Sequence, residues 1–209
     1  GIRDIGVTGV QTCALPILPG REERWDETAN DLHDLVLEFD EALDEQTNEP
    51  LNLAGHSFGG LLAYLISERR CRRGVPPQAL VAMAVAPPDR LESESWSGAE
   101  DHELVDYLDR KYGAIPAGLR ENHQLLQGFL PAVRHDLRLM ESYQHKPTEP
   151  LPINLFVCGG MDDRQLPEKS LAGWQRFTRS KFTLKMFEGG HFFPYPQIEA
   201  ITKIIASEV

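Results

Sequence analysis

Three residue types that together can perform acyl transfer occur in this chain in a usable order: a serine, an aspartate and a histidine. Ser57 stands in Gly55-His56-Ser57-Phe58-Gly59, His191 in Gly189-Gly190-His191-Phe192-Phe193, and Asp162 and Asp163 lie between them in Gly159-Gly160-Met161-Asp162-Asp163. A neutral serine hydroxyl is a poor nucleophile, so a histidine within reach must take its proton and later return it to the leaving group. A buried carboxylate behind the imidazole fixes its tautomer and stabilises the imidazolium. Spacing alone leaves two aspartates open. Asp163 completes Gly160-x-x-Asp163-x-x-x-Pro167 and is preferred; Asp162 is the alternative.

Each of these residues needs an element to carry it. A short apolar strand, Leu51 to Ala54, runs into the Gly-x-Ser-x-Gly pentapeptide, and a helix from Phe58 to Arg70 follows at once. Strand, sharp turn and helix lift a serine hydroxyl above the sheet edge, and Gly55 and Gly59 are expected to keep Cβ atoms out of the crossing. The helix N-terminus then offers the Phe58 N–H as an oxyanion donor. A buried strand, Ile153 to Cys158, precedes the aspartates, and a strand from Phe182 to Phe187 precedes His191. Ala79 to Ala86 is a continuous apolar run, as expected of a parallel strand covered on both faces. Amphipathic helices are expected over 26–46, 168–177 and 197–207, the first with a solvated acidic face. From 91 to 150 the pattern is helical only, which reads as a lid over the C-terminal strand ends. The order serine, acid, histidine on such elements is that of an α/β-hydrolase fold: a mostly parallel sheet flanked by helices, with a helical lid insertion.

Bulk properties narrow the rest. The 209 residues suit one domain, and a net charge of −11 argues against a nucleic-acid surface or an anionic membrane partner. Cys13, Cys71 and Cys158 have neither metal-ligand spacing nor an even count, which fits a reducing compartment, with the cytoplasm as default. No apolar run is long enough to span a membrane. Nothing predicts a metal site or a phosphate-binding glycine loop, so no cofactor is expected. The remaining histidines, 33, 56, 102, 123, 135 and 145, read as surface or packing residues, with His56 pointing away from Ser57 by strand alternation. The arginines of Glu68-Arg69-Arg70-Cys71-Arg72-Arg73-Gly74 read as helix C-terminal chemistry.

From Leu18 onward the chain resembles the type II thioesterases that accompany nonribosomal peptide and polyketide synthases. The resemblance is carried by LPGREER (18–24), AGHSFGG (54–60), GFLPAVRHDLRLMESY (128–143), GGMDD (159–163), Trp174 and GGHFF (189–193). It implies hydrolysis of acyl groups from the phosphopantetheine arm of a carrier protein, clearing stalled or mis-primed thioesters, with Ser57, Asp163 and His191 as the triad. The acyl or peptidyl carrier protein is the partner it implies. A general carboxylesterase would use the same triad, and an inactive fragment that only binds a carrier is the other alternative. Two departures stand out. The family's N-terminal strand and oxyanion loop have no counterpart, so residues 1–17 read as foreign to the 18–209 domain and the chain as N-terminally truncated. The ending Ala84-Val85-Ala86-Pro87-Pro88 also lacks the Ser-Gly-Arg type of motif expected of relatives.

Overall fold

The computed structural model describes residues 2–5, 13–46, 51–91, 94–113, 115, 117–120 and 122–208. Its first element is a hairpin of β1 (Ile2–Ile5) and β2 (Cys13–Pro16), paired antiparallel from Ile2 opposite Pro16 to Ile5 opposite Cys13. This hairpin is separate from the main sheet. Residues 1–17, read from the sequence as foreign to the domain, thus include two short strands that pair with each other and not with the main sheet.

Among the described residues that sheet has four strands, all parallel: β3 (Asn52–His56), β4 (Ala79–Met83), β5 (Asn154–Gly160) and β6 (Phe182–Phe187), in the order β3-β4-β5-β6. Registers run from Asn52 opposite Ala79, Ala79 opposite Asn154 and Leu155 opposite Phe182. Every residue of β4 is buried, as its unbroken apolar run requires. Helices α1 (Leu32–Gln46), α2 (Phe58–Arg72), α6 (Glu168–Leu171) and α7 (Pro194–Glu208) flank the sheet. Among the described residues no helix is long and apolar enough to cross a membrane.

Helix α1 begins six positions later than its periodicity suggested, because the Asp31 carboxylate accepts from the Asp34 N–H at 2.8 Å and caps the first turn. Leu32, Leu35, Val36 and Phe39 are buried as expected. The acidic face is not wholly solvated, however. Asp40 lies four residues beyond Val36, on the same stripe, and is fully buried. It accepts hydrogen bonds from Arg69 Nε at 2.7 Å, Arg70 Nη1 at 2.8 Å and Arg73 Nη1 at 2.6 Å, while Asp44 pairs with Arg70 and Arg73. Arg69, Arg70 and Arg73 thus face α1, whereas Arg72 is exposed and pairs with Glu68 of its own helix.

Between β4 and β5 the chain is helical, as expected: α3 (Asp101–Tyr112), α4 (Ala117–Arg120) and α5 (His123–Ser142). Leu104, Val105, Leu108, Ile115 and Leu130 form a small core of their own. The C-terminal part of α5 instead joins the main core through Leu139, with Met140 and Tyr143 packed against it. Two ties hold it there. Arg21 forms an ion pair with Asp136, and His135 Nε2 lies 3.0 Å from the Ala29 carbonyl oxygen.

The glycines at the strand–helix crossing divide the work differently from expectation. A Cβ on Gly55 would land on the Gly59 carbonyl, as anticipated, whereas one on Gly59 would meet nothing within 4 Å. The second crowded position is Gly60, where a Cβ would lie 2.6 Å from Val85 Cγ1 and 3.1 Å from the Gly55 oxygen.

Gly60→Ala should therefore cost about 1–3 kcal/mol by overpacking, despite alanine's better helix propensity. Gly59→Ala should leave stability unchanged or raise it by up to about 1 kcal/mol. Urea denaturation of the two variants measures the contrast. In the same assay Asp40→Ala should cost up to about 3–5 kcal/mol, because it removes the buried carboxylate shared by three arginines and leaves the buried Arg70 guanidinium with Asp44 as its remaining ion-pair partner.

Candidate active site

Ser57 sits between β3 and α2 with φ 53° and ψ −121°, a backbone conformation that side chains rarely adopt. Such strain costs on the order of 1–3 kcal/mol and persists only where the surroundings over-determine it. Here the Ser57 N–H donates to the Met83 carbonyl at 2.8 Å, and the Ser57 carbonyl accepts from Gly60 N–H at 2.9 Å. A serine at a helix N-terminus ordinarily turns its hydroxyl onto the first-turn N–H groups. Ser57 makes no such bond. Its Oγ instead lies 3.1 Å from His191 Nε2. The Phe58 N–H, at the first position of α2, has no acceptor among the described residues, so it stays available beside the hydroxyl.

His191 reaches this point from β6, at the opposite edge of the sheet. The loop after β6 turns through Gly189, whose φ of +104° suits glycine, and Phe193 N–H closes it onto Gly190 O at 3.1 Å. Asp162 N–H donates to Gly189 O at 2.9 Å, joining the acid loop after β5 to the histidine loop. His191 is buried, and its Nδ1 lies 2.9 Å from Asp163 Oδ2. Asp163 is buried and Asp162 exposed, so of the two candidates only Asp163 meets the ring. Burial pushes the Asp163 carboxyl upward, but the hydrogen bond and charge of His191 and the N–H groups of Gln165 and Leu166 outweigh it. Its pKa is left below the usual carboxylate value. An ionised Asp163 accepts, so Nδ1 carries the proton and Nε2 presents its lone pair to Ser57.

Two residues complete the surroundings without any signal in the sequence. Tyr112, the last residue of α3, places its ring 4.6 Å from that of His191, so the helical insertion reaches the imidazole. A cleft of about 300 Å³ between the insertion and the acid loop is lined by Trp96, Tyr107, Arg110, Lys111 and Gln165, with Glu94. His56, read from the sequence as a surface or packing residue, is no bystander: its Nε2 lies 2.8 Å from the His191 carbonyl oxygen and its ring 5.0 Å from that of His191. Only the returning loop supplies this partner. A larger cleft of about 770 Å³ lies beside Asp162 and Asp163, with Met161, Arg164 and Met186 in its wall. Ser57 does not line it, so it is not where an acyl group would meet the hydroxyl.

Trp174 is fully buried and donates from Nε1 to the Val85 carbonyl at 2.9 Å. It packs edge-on against Tyr64 of α2 and Phe177, each at 5.5 Å. Val85, in turn, is the neighbour that crowds Gly60. The tryptophan therefore props the segment after β4 against the helix that begins at Ser57.

Comparison with known proteins agrees with this architecture. The thioesterase domain model matches residues 9–208. Phenyloxazoline synthase MbtB of Mycobacterium tuberculosis is 30% identical over 193 residues, which cover 91% of this chain and 14% of the synthase. The chain thus spans a small part of that much longer relative. Among solved structures, the thioesterase RedJ from the prodiginine biosynthetic pathway in Streptomyces coelicolor is similar with a TM-score of 0.83 and 26% identity, over 92% of this chain and 77% of RedJ. YbtT, a type II thioesterase from the yersiniabactin NRPS/PKS biosynthetic pathway, gives a TM-score of 0.82 and 26% identity, over 94% of this chain and 81% of YbtT. With the family model running nearly from end to end and solved thioesterases sharing the fold, this chain belongs to the thioesterase family, hydrolases that act on thioesters.

Proposed function

We propose that the chain hydrolyses acyl groups from the phosphopantetheine arm of carrier proteins, clearing stalled or mis-primed thioesters, by a Ser57–His191–Asp163 mechanism. The observation that carries the reading is the unbroken line from Ser57 Oγ to His191 Nε2 at 3.1 Å and from His191 Nδ1 to Asp163 at 2.9 Å. The likeness to RedJ and to the type II thioesterase YbtT supports the substrate class.

In this mechanism the Ser57 hydroxyl gives its proton to His191 Nε2 as Oγ attacks the thioester carbonyl. Asp163 steadies the imidazolium through Nδ1–H. The developing oxyanion lies near the Phe58 N–H, at the positive end of α2. Collapse breaks the carbon–sulfur bond, and the imidazolium returns its proton to the departing pantetheine thiol. Water, activated by the same imidazole, then frees the acid from the serine ester. A cytoplasmic location belongs to the same reading, and the free thiols of Cys71 and Cys158 are in keeping with a reducing compartment.

The test is thiol release from an acyl-phosphopantetheinyl carrier protein. The chain should release thiol and Ser57→Ala should not, with both giving the same circular-dichroism spectrum. Release from simple oxygen esters in preference to pantetheine thioesters would point to a general carboxylesterase, and no release from a folded chain would leave only carrier binding. Asp163→Asn should lower kcat by roughly 10⁴-fold, since an amide favours the wrong tautomer of His191. Asp162→Asn, exposed and off the ring, should change kcat by less than about threefold.

A further inference from the structure

We infer that His56 is a positioning residue for His191: its Nε2–H, donated to the His191 main-chain carbonyl at 2.8 Å, ties the loop of the base to the strand that carries the nucleophile. The inference rests on the reading of Ser57 and His191 as nucleophile and base.

The direction of this bond is settled by its acceptor. A carbonyl oxygen cannot donate, so Nε2 must carry the hydrogen. Burial lowers the pKa of His56 below that of an ordinary histidine, so the ring is neutral in its Nε2–H tautomer. Three aromatic neighbours fix the plane of the donor: His191 at 5.0 Å, Phe192 at 5.6 Å and Tyr195 at 5.8 Å, the first and last edge-on.

The other described bonds of this loop act on either side of the base. Gly189 O accepts from Asp162 N–H, Gly190 O from Phe193 N–H, and Glu188 O from Gln197 Nε2. At the carbonyl of His191 itself, among the described residues, the donor is His56. Because His56 is bonded covalently to Ser57, the path from nucleophile to base runs through one peptide link and one hydrogen bond. Displacing the base from its line to Oγ by a fraction of an ångström weakens proton transfer, and misplacements near 1 Å cost on the order of 100-fold in rate.

The experiment compares His56→Gln with His56→Met, side chains of similar length of which only glutamine can donate. His56→Phe replaces His56→Met if the latter fails to unfold cooperatively in urea. Two rates are read for each: kcat and KM for thiol release from the acyl carrier protein, and the rate at which a fluorophosphonate labels Ser57. The second needs the nucleophile and base but no carrier. His56→Met should lose about 10- to 100-fold in kcat and in labelling rate with KM within about twofold, and His56→Gln should recover most of both. A folded His56→Met at wild-type rates, a change confined to KM, or equal losses in the two variants would overturn the assignment. Wild-type chain that labels without releasing thiol would overturn the carrier substrate while leaving the His56 comparison intact; chain that does neither would overturn both.

Discussion

The site depends on a close crossing of two backbones. Strand β3 and helix α2 approach at Gly55 to a distance that no Cβ there would permit, with Gly60 crowded in turn by the Val85 side chain, and that approach holds Ser57 in its strained turn. The strain has a chemical use. It removes the hydroxyl from the helix-capping role a serine would otherwise take and turns it toward His191. Val85 closes the crossing from the neighbouring strand end, and Trp174 holds Val85 by its carbonyl. Ser57 is therefore set by packing at some distance from it, and Asp163 and His191 are brought to it by loops that leave adjacent parallel strands at the same end of the sheet.

Much of this was legible in the sequence, because the signals are local. A continuous apolar run marked β4, segments of strand length marked β5 and β6 within a few residues, and the pentapeptide between strand and helix marked the turn at Ser57. The choice between Asp162 and Asp163 was not local. They are adjacent on one loop, and the direction of each side chain depends on the bond from Asp162 N–H to Gly189 O, which lies in another loop. The same holds for Gly59 and Gly60: a motif names the glycine, but the crowding comes from Val85. Asp40 was misread for a related reason. An aspartate on an apolar stripe is legible only as an anomaly until the three arginines that face it are known to come from α2.

His56 and Tyr112 mark the limit of such reading. Each touches His191 through a contact that crosses more than seventy residues of sequence, and neither has a spacing that would single it out. The family-specific segments fare better in hindsight than in foresight. Arg21 of LPGREER and Asp136 of the α5 segment, noted separately, form one ion pair. Their value to the fold is mutual, as anchor points for α5.

The position of the helical insertion bears on how the chain folds. β4 and β5 are neighbours in the sheet, yet the whole of α3, α4 and α5 lies between Met83 and Asn154. Bringing the two strands together closes that entire loop. The equilibrium cost is modest, since each doubling of loop length adds only about 0.6 kcal/mol. The kinetic cost is greater, because long-range parallel pairing must wait for loop closure before it is rewarded. The small core of Leu104, Val105, Leu108 and Leu130 shortens the effective loop if it forms first. Insertion and sheet are then coupled in time as well as in space.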